Sequence, residues 1–387
     1  MEYFDLIYAC NKVHTAEQLK ALQAMPLDAK VEATKIRLIE FYNHFNGAVY
    51  ISFSGGKDST VLAYIANDML GLNIPLVFSN TGLEYSEIQK FAKAKGAEFI
   101  RPEMQFTEVI STYGYPLISK EVAEAIYYAR RIRNGGQTAI RKRNELQGQR
   151  LISASMNGLT GVGGAFSVDA PDKYGKKSKF NKEKWAPACH ELPFKISHYC
   201  CTKMKKSPLK KFGKKSGLVP IIATMADESR IRKQGWIRTG CNAFDGKSSK
   251  SQPMSFWTEQ DVLEFIKETG IEICSVYGDI ERQENGKLKC SGCHRTGCVY
   301  CGFGAHSKDD SRFVELSKLS PKQFEYSMNG GQWVDNPDYD EFAPKYDGDW
   351  LNWNPKKIWM PSKEGLGLKF VIDEFNQLYP KNQILLP

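Results

Sequence analysis

The sequence predicts an α/β protein with a doubly wound, mostly parallel sheet, N-terminal helices, a basic insertion and a C-terminal extension rich in cysteine and aromatic residues. Two observations support this fold class. Short runs at 48–53, 74–79 and 218–225 are apolar on both faces, as strands buried in a parallel sheet are. Helix-like runs alternate with them, which gives the β-α-β-α-β order of doubly wound proteins.

Each element has its own local signal. Thr15 and Thr258 stand where N-caps are expected, directly before runs with apolar residues at three- and four-residue steps. A Gly-, Lys- and Ser-rich stretch lacks periodicity and is typical of a loop or lid. The predicted elements are helices within 1–46, a strand at 48–53, a helix at 59–70, a strand at 74–79, a helix within 80–96, a strand within 97–102, a basic helix at 120–134, the loop at 157–185, a strand at 218–225, and helices within 257–270, 320–331 and 366–380.

These elements predict four segments. A helical segment is followed by a nucleotide-binding α/β core in two pieces, which a basic insertion separates, and the chain continues into a C-terminal extension. The boundaries are 1–46 for the helical segment, 47–119 and 216–285 for the core, 120–215 for the insertion or lid and 286–387 for the extension.

Charge is unevenly distributed along the 387 residues, whose formal net charge is +9. Between 120 and 215 the chain carries 22 Lys and Arg against 7 Asp and Glu. Such a segment either binds an anionic partner, nucleic acid above all, or is a solvated insertion. No apolar run is long enough to span a bilayer and no secretion signal is recognisable, so a cytoplasmic protein without a membrane partner is expected.

A glycine-rich turn, SGGKDS at 54–59, joins the first predicted strand to the following helix. Glycines let backbone N–H groups approach phosphate oxygens closely, and the helix N-terminus adds partial positive charge. Lys57 can neutralise phosphate charge, and Ser54 and Ser59 can donate to its oxygens. Asp58 is expected to help hold Mg²⁺ or to order the loop. The alternative is a glycine turn before a surface helix, since the spacing is neither that of a Walker loop nor G-x-G-x-x-G.

The stretch SFSGGKDST resembles the pyrophosphate-binding loop (PP-loop) of the N-type ATP pyrophosphatases, the adenine nucleotide α-hydrolase-like group. More narrowly, the chain resembles the cluster-bearing form of the phosphoadenosine phosphosulfate (PAPS) reductase family. Four further stretches carry this resemblance in the expected order: NTGLEYSEI from Asn80, YCCTKMKKSPL from Tyr199, ADESRIR from Ala226 and RTGCVYCGFG from Arg295.

The resemblance implies a five-stranded, mostly parallel sheet with nucleotide at the C-terminal ends of its strands. It also implies cleavage of ATP between the α and β phosphates, adenylation of an acceptor oxygen and release of pyrophosphate. The implied catalytic residues are Lys57, Asp58 and Ser59. The residues implied to bind ATP and Mg²⁺ are Ser52, Ser54, Gly55, Gly56, Lys57, Asp58, Ser59, Thr81, Gly82, Glu228, Ser229 and Arg232.

The ten cysteines are clustered, which in a cytosolic chain favours metal or cluster ligation over disulfides. Two C-x-x-C pairs follow one another at Cys290, Cys293, Cys298 and Cys301. By themselves these pairs fit either a zinc knuckle or a [4Fe–4S] cluster. The resemblance implies a [4Fe–4S] cluster held by Cys200, Cys201, Cys298 and Cys301. Zn²⁺ is the alternative, and Cys290 and Cys293 are the less favoured ligands.

A cluster beside such a loop resembles the enzymes that put sulfur into tRNA bases or into the DNA backbone. We therefore expect an ATP-dependent, iron–sulfur sulfurtransferase-like enzyme that binds tRNA or DNA through residues 120–215 and receives sulfur or electrons from a donor protein. The aromatic residues interleaved there either stack on bases or pack in the core; they are Tyr127, Tyr128, Trp185 and Tyr199.

Two other functions remain open from the sequence. One is a PAPS reductase that uses an external thiol donor, and the other is a non-catalytic nucleotide-binding regulator with a structural metal site. The complete PP-loop weighs against the reductase, because a preformed sulfonucleotide does not need the full Gly-Gly-Lys-Asp-Ser set. The sulfonucleotide reductases that the chain resembles carry a nucleophilic cysteine in a C-terminal tail. No cysteine follows Cys301 in this sequence, which also weighs against the reductase.

Overall fold

A computed structural model describes residues 14–133, 182–244, 249–307, 310–339, 341 and 353–387. The chain forms two compact units: unit 1 is Met1–Glu103 with Met204–Cys298, and unit 2 is Met104–Lys203 with Val299–Pro387. These boundaries differ from the four predicted segments. The N-terminal helices belong to unit 1, and the predicted insertion is divided between the two units. Predicted features within 134–181 lie outside the described residues.

Strands and helices follow one another in the predicted order. The strands are β1 (Val49–Ser52), β2 (Leu76–Ser79), β3 (Glu98–Ile100), β4 (Leu117–Ile118), β5 (Val219–Ile221), β6 (Asn242–Ala243), β7 (Lys250–Ser251), β8 (Ile280–Arg282), β9 (Leu288–Cys290), β10 (Gly302–Phe303), β11 (Gln332–Asp335) and β12 (Lys357–Met360). The α-helices are α1 (Ala16–Gln23), α2 (Leu27–His44), α3 (Lys57–Ala63), α4 (Ser86–Ala94), α5 (Phe106–Tyr113), α6 (Lys120–Arg133), α7 (Tyr199–Cys201), α8 (Ser207–Ser216), α9 (Arg230–Thr239), α10 (Glu259–Thr269), α11 (Arg312–Leu319), α12 (Pro321–Met328) and α13 (Leu368–Leu378). Short 3₁₀ or π segments lie at Tyr64–Met69, Glu183–Cys189, Thr202–Lys206, Ala226–Glu228 and Ser275–Tyr277.

Unit 1 contains a six-stranded sheet in the order β3-β2-β1-β5-β7-β6. All neighbouring strands are parallel except the β6–β7 pair at one edge. The chain runs outward from β1 to β3 and then returns to build the other half from β5, so right-handed connections place helices on opposite faces. The predicted doubly wound, mostly parallel sheet is therefore confirmed, with one more strand than the resemblance implied.

The helix starts follow the predicted caps. The Thr15 hydroxyl accepts a hydrogen bond from the Gln18 N–H (3.2 Å), and the Thr258 hydroxyl accepts one from the Asp261 N–H (3.3 Å). Both form capping boxes, which satisfy N–H groups that have no partner within their helix.

The N-terminal helix α2 joins unit 1 because its buried face is tied to the core. The Trp257 indole N–H donates to the Thr34 hydroxyl (2.9 Å), and Lys30 Nζ forms an ion pair with Asp261 (2.7 Å). Trp257 is completely buried. A hydrogen bond to a buried aromatic residue and an ion pair thus attach α2 to the core of unit 1.

Unit 2 combines the remaining helices with two small sheets. Strands β4 and β10 pair in parallel, and β11 and β12 form an antiparallel hairpin in which Trp333 faces Trp359. Arg130 on α6 is fully buried and donates to the backbone carbonyls of Ala188, Cys189, Leu192 and Phe194. Among the described residues of either unit, every helix is too short or too polar to cross a bilayer.

Candidate phosphate-binding site

The glycine loop lies at the carboxyl end of β1, between β2 and β5, where the strand order reverses direction. Ligands of doubly wound sheets bind at this point, because the loops leaving the two halves of the sheet diverge and open a crevice. Gly55 has φ +70°, and a Cβ atom there would lie 2.9 Å from the Ile88 side chain. Only glycine therefore fits this turn without strain.

Hydroxyl groups fold the loop onto the start of α3. The Ser59 hydroxyl donates to the Gly56 carbonyl (2.9 Å) and lies 3.0 Å from the Ser54 hydroxyl, while the Thr60 hydroxyl also donates to the Gly56 carbonyl (3.0 Å). The Ser54 side chain is exposed, whereas Ser59 is buried. The loop is thus held by its own side chains, and Ser54 Oγ also accepts a hydrogen bond from the Gly56 N–H (3.3 Å). Ser52, the last residue of β1, is half-buried directly before it.

Lys57 is buried and already holds three oxygen atoms of unit 1. Its Nζ forms an ion pair with Glu259 (2.9 Å) and donates to the His294 carbonyl (3.1 Å). Its backbone N–H donates to the Tyr277 hydroxyl (3.3 Å). These are the donors that the sequence assigns to phosphate. An anion that binds in the loop must therefore displace at least the His294 carbonyl and the Tyr277 hydroxyl from Lys57. These neutral oxygens bind a cation less strongly than the charged oxygens of a phosphate do.

Asp58 follows Lys57 and has one carboxylate oxygen that is buried without a hydrogen-bond partner among the described residues. Burial raises the pKa of Asp58, and the positive charge of Lys57 acts in the opposite direction. A buried carboxylate oxygen without a donor is suited to a hard cation, and carboxylates are the protein ligands that Mg²⁺ takes beside phosphate. The predicted Mg²⁺ therefore fits this residue.

A second part of the site comes from residues 290–298, which we call the cysteine segment. Its Thr296 hydroxyl is hydrogen-bonded to the Tyr277 hydroxyl, and a Cβ atom on Gly56 would lie 3.2 Å from Tyr277 and 3.6 Å from Thr296. His294 Nε2 lies 3.7 Å from Glu259 Oε2. Neither Tyr277 nor Glu259 belongs to a local motif, so the sequence alone does not indicate their place in the site.

The predicted Glu228, Ser229 and Arg232 follow β5, the neighbour of β1. Glu228 forms an ion pair with Arg232 and accepts a hydrogen bond from the Met225 N–H (3.0 Å), and Ser229 caps α9 through the Arg232 N–H (3.3 Å). Burial lowers the pKa of Arg232, and a second guanidinium, that of Arg295, acts in the same direction. The structure thus brings Arg232 close to the loop.

Thr81 and Gly82 follow β2 on the other side of β1. The Thr81 hydroxyl donates to the buried Glu84 carboxylate (2.7 Å), which also forms an ion pair with Lys205 (3.3 Å). Gly82 is exposed, with φ +73° and open space where a Cβ would stand. Lys205 also hydrogen-bonds the thiol group of Cys298. Thr81 is therefore part of a buried polar network after β2, and its contact with the nucleotide stays a prediction.

The predicted metal ligands do not all share one unit. Cys298 lies in unit 1, whereas Cys200, Cys201 and Cys301 lie in unit 2. Burial raises the pKa of Cys301, and the nearby Cys201 raises it further, so these two thiols are neighbours. A [4Fe–4S] cluster takes four thiolates. No group of three or more His, Cys, Asp or Glu side chains spaced to hold a metal ion occurs in the described ranges, and the [4Fe–4S] cluster stays a prediction.

The less favoured cysteines belong to unit 1. Cys290 and Cys293 are buried, and the charges of Lys57, Glu259 and Asp58 all act on Cys290. Burial, the largest effect, raises the pKa of Cys290. This end of the cysteine segment therefore lies near the glycine loop.

Two of the aromatic residues proposed to stack on bases are buried in unit 2. Trp185 is 5% exposed and stacks on Phe375 in the core, and Tyr127 is 9% exposed. For these two the packing interpretation is correct, since a base cannot reach a covered ring. Tyr199 is half-buried and stacks on Tyr113 (centroids 4.8 Å apart). The Tyr128 side chain lies outside the described residues.

Comparison with known proteins gives three findings. Residues 165–302 match the family described as the phosphoadenosine phosphosulfate reductase domain. Eighty residues are 35% identical to an uncharacterized protein of Methanocaldococcus jannaschii; the match covers 19% of this chain and only 17% of that protein. The PAPS reductase of Candida auris, solved as a phosphate complex, aligns with 73% of this chain and 98% of its own at 10% identity and a TM-score of 0.32.

These findings differ in weight. A TM-score of 0.32 is too low to support an inference, and the archaeal match is confined to a small part of both proteins. The family match is specific, although the glycine loop lies before the matched residues. It includes Cys200, Cys201 and the Glu228–Arg232 motif. Residues 165–302 are therefore similar to the phosphoadenosine phosphosulfate reductase domain, in agreement with the family resemblance of the motifs.

Proposed function

We propose that this chain is an ATP-dependent enzyme that forms AMP and pyrophosphate while it activates an oxygen atom of its substrate. The observation that carries the proposal is the complete loop of residues 54–59 at the carboxyl end of β1, with a buried lysine and a buried, unpartnered carboxylate oxygen. A loop that only received a preformed sulfonucleotide would not need a carboxylate poised for Mg²⁺.

In this proposal the loop binds the leaving pyrophosphate. Lys57 exchanges its protein oxygens for phosphate oxygens and neutralises their charge, and the Ser54 hydroxyl donates to them. Asp58 would hold Mg²⁺, which would supply charge neutralisation on the phosphates. The acceptor oxygen attacks the α-phosphorus as the bond to the bridging oxygen breaks, and the electron pair leaves with pyrophosphate. The loop accelerates this step because its charges are fixed in place before the leaving group develops its own.

The finer proposal is sulfur transfer to a nucleic acid, tRNA or DNA, in the cytoplasm. A sulfide-level donor attacks the adenylated carbon or phosphorus, and AMP leaves with the original oxygen atom. The cysteine-rich segments support this chemistry. The 22 basic residues against 7 acidic ones between 120 and 215 support a nucleic-acid partner.

Product analysis tests the first step. The protein is incubated with labelled ATP and Mg²⁺, with and without tRNA or DNA, and AMP and pyrophosphate are measured. Lys57→Ala should abolish AMP formation. Lys95→Ala is a matched control, because it also removes a lysine from an ion pair of unit 1, with Glu272 (3.0 Å), but lies on the surface. Equal AMP formation in wild type and Lys57→Ala would refute the assignment of the loop.

The family match favours a second candidate, a PAPS reductase with an external thiol donor. That enzyme would release sulfite from PAPS when thioredoxin is added, and it would not need ATP. A non-catalytic regulator, the third candidate, would bind nucleotide and turn over neither compound. One set of assays therefore separates the three.

The metal proposal has its own test. Anaerobic purification followed by iron, zinc and sulfide analysis and an absorption spectrum should show a [4Fe–4S] cluster. One zinc without iron would favour the zinc alternative, and the Cys201→Ser variant should lose the metal in either case if this residue is a ligand.

A further inference from the structure

We propose that Arg295, carried by the cysteine segment, is a further phosphate-binding residue of the site and acts together with Arg232. The ligand is a phosphate group of a nucleotide, held beside the pyrophosphate-binding loop. The proposal rests on the proposed function only in taking the loop as a nucleotide site. It adds a residue that no local motif assigned to phosphate.

Contacts made by the two neighbours of Arg295 hold its backbone near the loop. The residue before it, His294, accepts a hydrogen bond from Lys57 Nζ through its carbonyl oxygen (3.1 Å). The residue after it, Thr296, is hydrogen-bonded to the hydroxyl of Tyr277, which in turn accepts from the Lys57 N–H (3.3 Å). Both peptide neighbours of Arg295 are thus tied to groups that hold Lys57, so its backbone position is fixed relative to the loop.

Arg295 has no ion-pair partner of its own in the described part of the chain. Its side chain is exposed and makes no hydrogen bond or ion pair to any residue in the described part of the chain. Its positive charge acts to lower the pKa of both Arg232 and Asp58. Arg232 is already paired with Glu228, and the nearby carboxylate of Asp58 is the group that suits Mg²⁺.

Glu228 offsets the charge of Arg232 alone, and an anion bound near both arginines offsets their mutual repulsion. A phosphate is the matching ligand, because its oxygens accept the paired N–H groups of guanidinium in a bidentate manner. Lys57 and Asp58 belong to the glycine loop, whereas Arg232 and Arg295 come from other parts of the chain. The site therefore offers phosphate contacts both from the loop and from the two arginines.

Nucleotide binding is also expected to affect how the cysteine segment is attached to the loop. The His294 carbonyl occupies Lys57 Nζ when no phosphate is present. A phosphate that replaces this carbonyl releases one attachment of the segment and provides Arg295 with an anion. Arg295 is therefore expected to contribute to affinity chiefly in the bound state.

The test is calorimetric titration of the full chain with ATP, PAPS and inorganic pyrophosphate in the presence of Mg²⁺. Arg295→Ala should weaken binding of at least one nucleotide about 10- to 100-fold, and Arg295→Lys should retain part of the affinity. Arg282→Ala is the matched control, because Arg282 is also an exposed arginine of unit 1 and pairs with Glu264 away from the loop (3.1 Å). Thermal unfolding of each variant shows that it is folded.

Each result of the titrations either supports or overturns the proposed role of Arg295. Unchanged affinity for both nucleotides in Arg295→Ala overturns the proposal, and so does an equal loss in Arg282→Ala. If the wild type binds PAPS but not ATP, and Arg295→Ala weakens that binding, Arg295 is a phosphate residue while the proposed ATP reaction is refuted. If the wild type binds none of the three ligands, both proposals fail.

Discussion

Replacing Asp58 with asparagine is expected to stabilise unit 1 at neutral pH and to remove its activity. The carboxylate is partly buried, one of its oxygens has no hydrogen-bond partner among the described residues, and burial raises its pKa above the ordinary value of 3.8. Asparagine has nearly the same shape but no charge. The substitution therefore removes the desolvation of an ion and also removes the proposed Mg²⁺ ligand.

The expected magnitude is modest. A buried polar group without a partner costs about 1–3 kcal/mol, and each unit of pKa shift corresponds to about 1.4 kcal/mol. The neighbouring positive charges of Lys57 and two arginines offset part of that penalty. We expect a gain of about 1 kcal/mol in the free energy of unfolding, which raises Tm by roughly 2–4 °C for a cooperative unit of this size.

The pH dependence follows from the direction of the shift. Because the folded-state pKa of Asp58 is raised, the native protein binds this proton more tightly than the unfolded chain does. Stability therefore falls as pH rises from about 3.8 through the folded-state pKa. The advantage of Asp58→Asn should be largest at pH 7–8 and should shrink as the pH is lowered toward 4.

Thermal unfolding between pH 4.5 and 8, followed by circular dichroism without added Mg²⁺, measures this effect. Asp68→Asn is the control, because Asp68 is exposed in the π segment that continues α3 and should not change Tm. A lower Tm for Asp58→Asn at pH 7, or the same difference at every pH, would refute the reasoning. Mg²⁺ with ATP should stabilise the wild type but not the variant, and AMP formation should fall.

Three further predictions concern the loop and the core of unit 2. Tyr277→Phe should tighten ATP binding by about 2- to 10-fold in calorimetry, because its hydroxyl competes with phosphate for the Lys57 N–H; weaker binding would mean that the hydroxyl contacts the ligand instead. Gly55→Ala should lower both ATP affinity and Tm more than Gly71→Ala does, since both glycines have positive φ but only Gly55 is crowded; equal effects would contradict the steric argument. Arg130→Lys should destabilise the protein by about 3 kcal/mol in urea unfolding, because lysine cannot reproduce the guanidinium's bonds to four buried carbonyls; an unchanged midpoint would show that these bonds contribute little.

The sheet was predictable because its signals are local. Residues 48–53 are apolar on both faces, and the glycine loop follows them directly, so neighbouring residues specify both the strand and the turn. The two threonine caps were predictable for the same reason, since a cap and its partner lie three residues apart. The antiparallel edge strand β6 has only two residues and was not predicted, because so short a strand carries no periodicity.

Other features depended on contacts between distant parts of the chain. The sequence offered Trp185 as a base-stacking residue or a core residue, and its packing against Phe375 shows that it belongs to the core. The N-terminal helix α2 belongs to the same unit as the core, and the side chains of Thr34 and Trp257 are hydrogen-bonded although more than two hundred residues separate them in the chain. No local pattern contains either contact.

The amino-acid sequence by itself determined the doubly wound sheet, the phosphate-type loop at 54–59 and the resemblance to the PAPS reductase family. These depend on the order of neighbouring residues, which sets backbone conformation and burial. Only the tertiary structure decided what surrounds Lys57. Glu259, Tyr277 and His294 are more than two hundred residues away in the chain, and the packing of unit 1 brings their oxygen atoms to its donors.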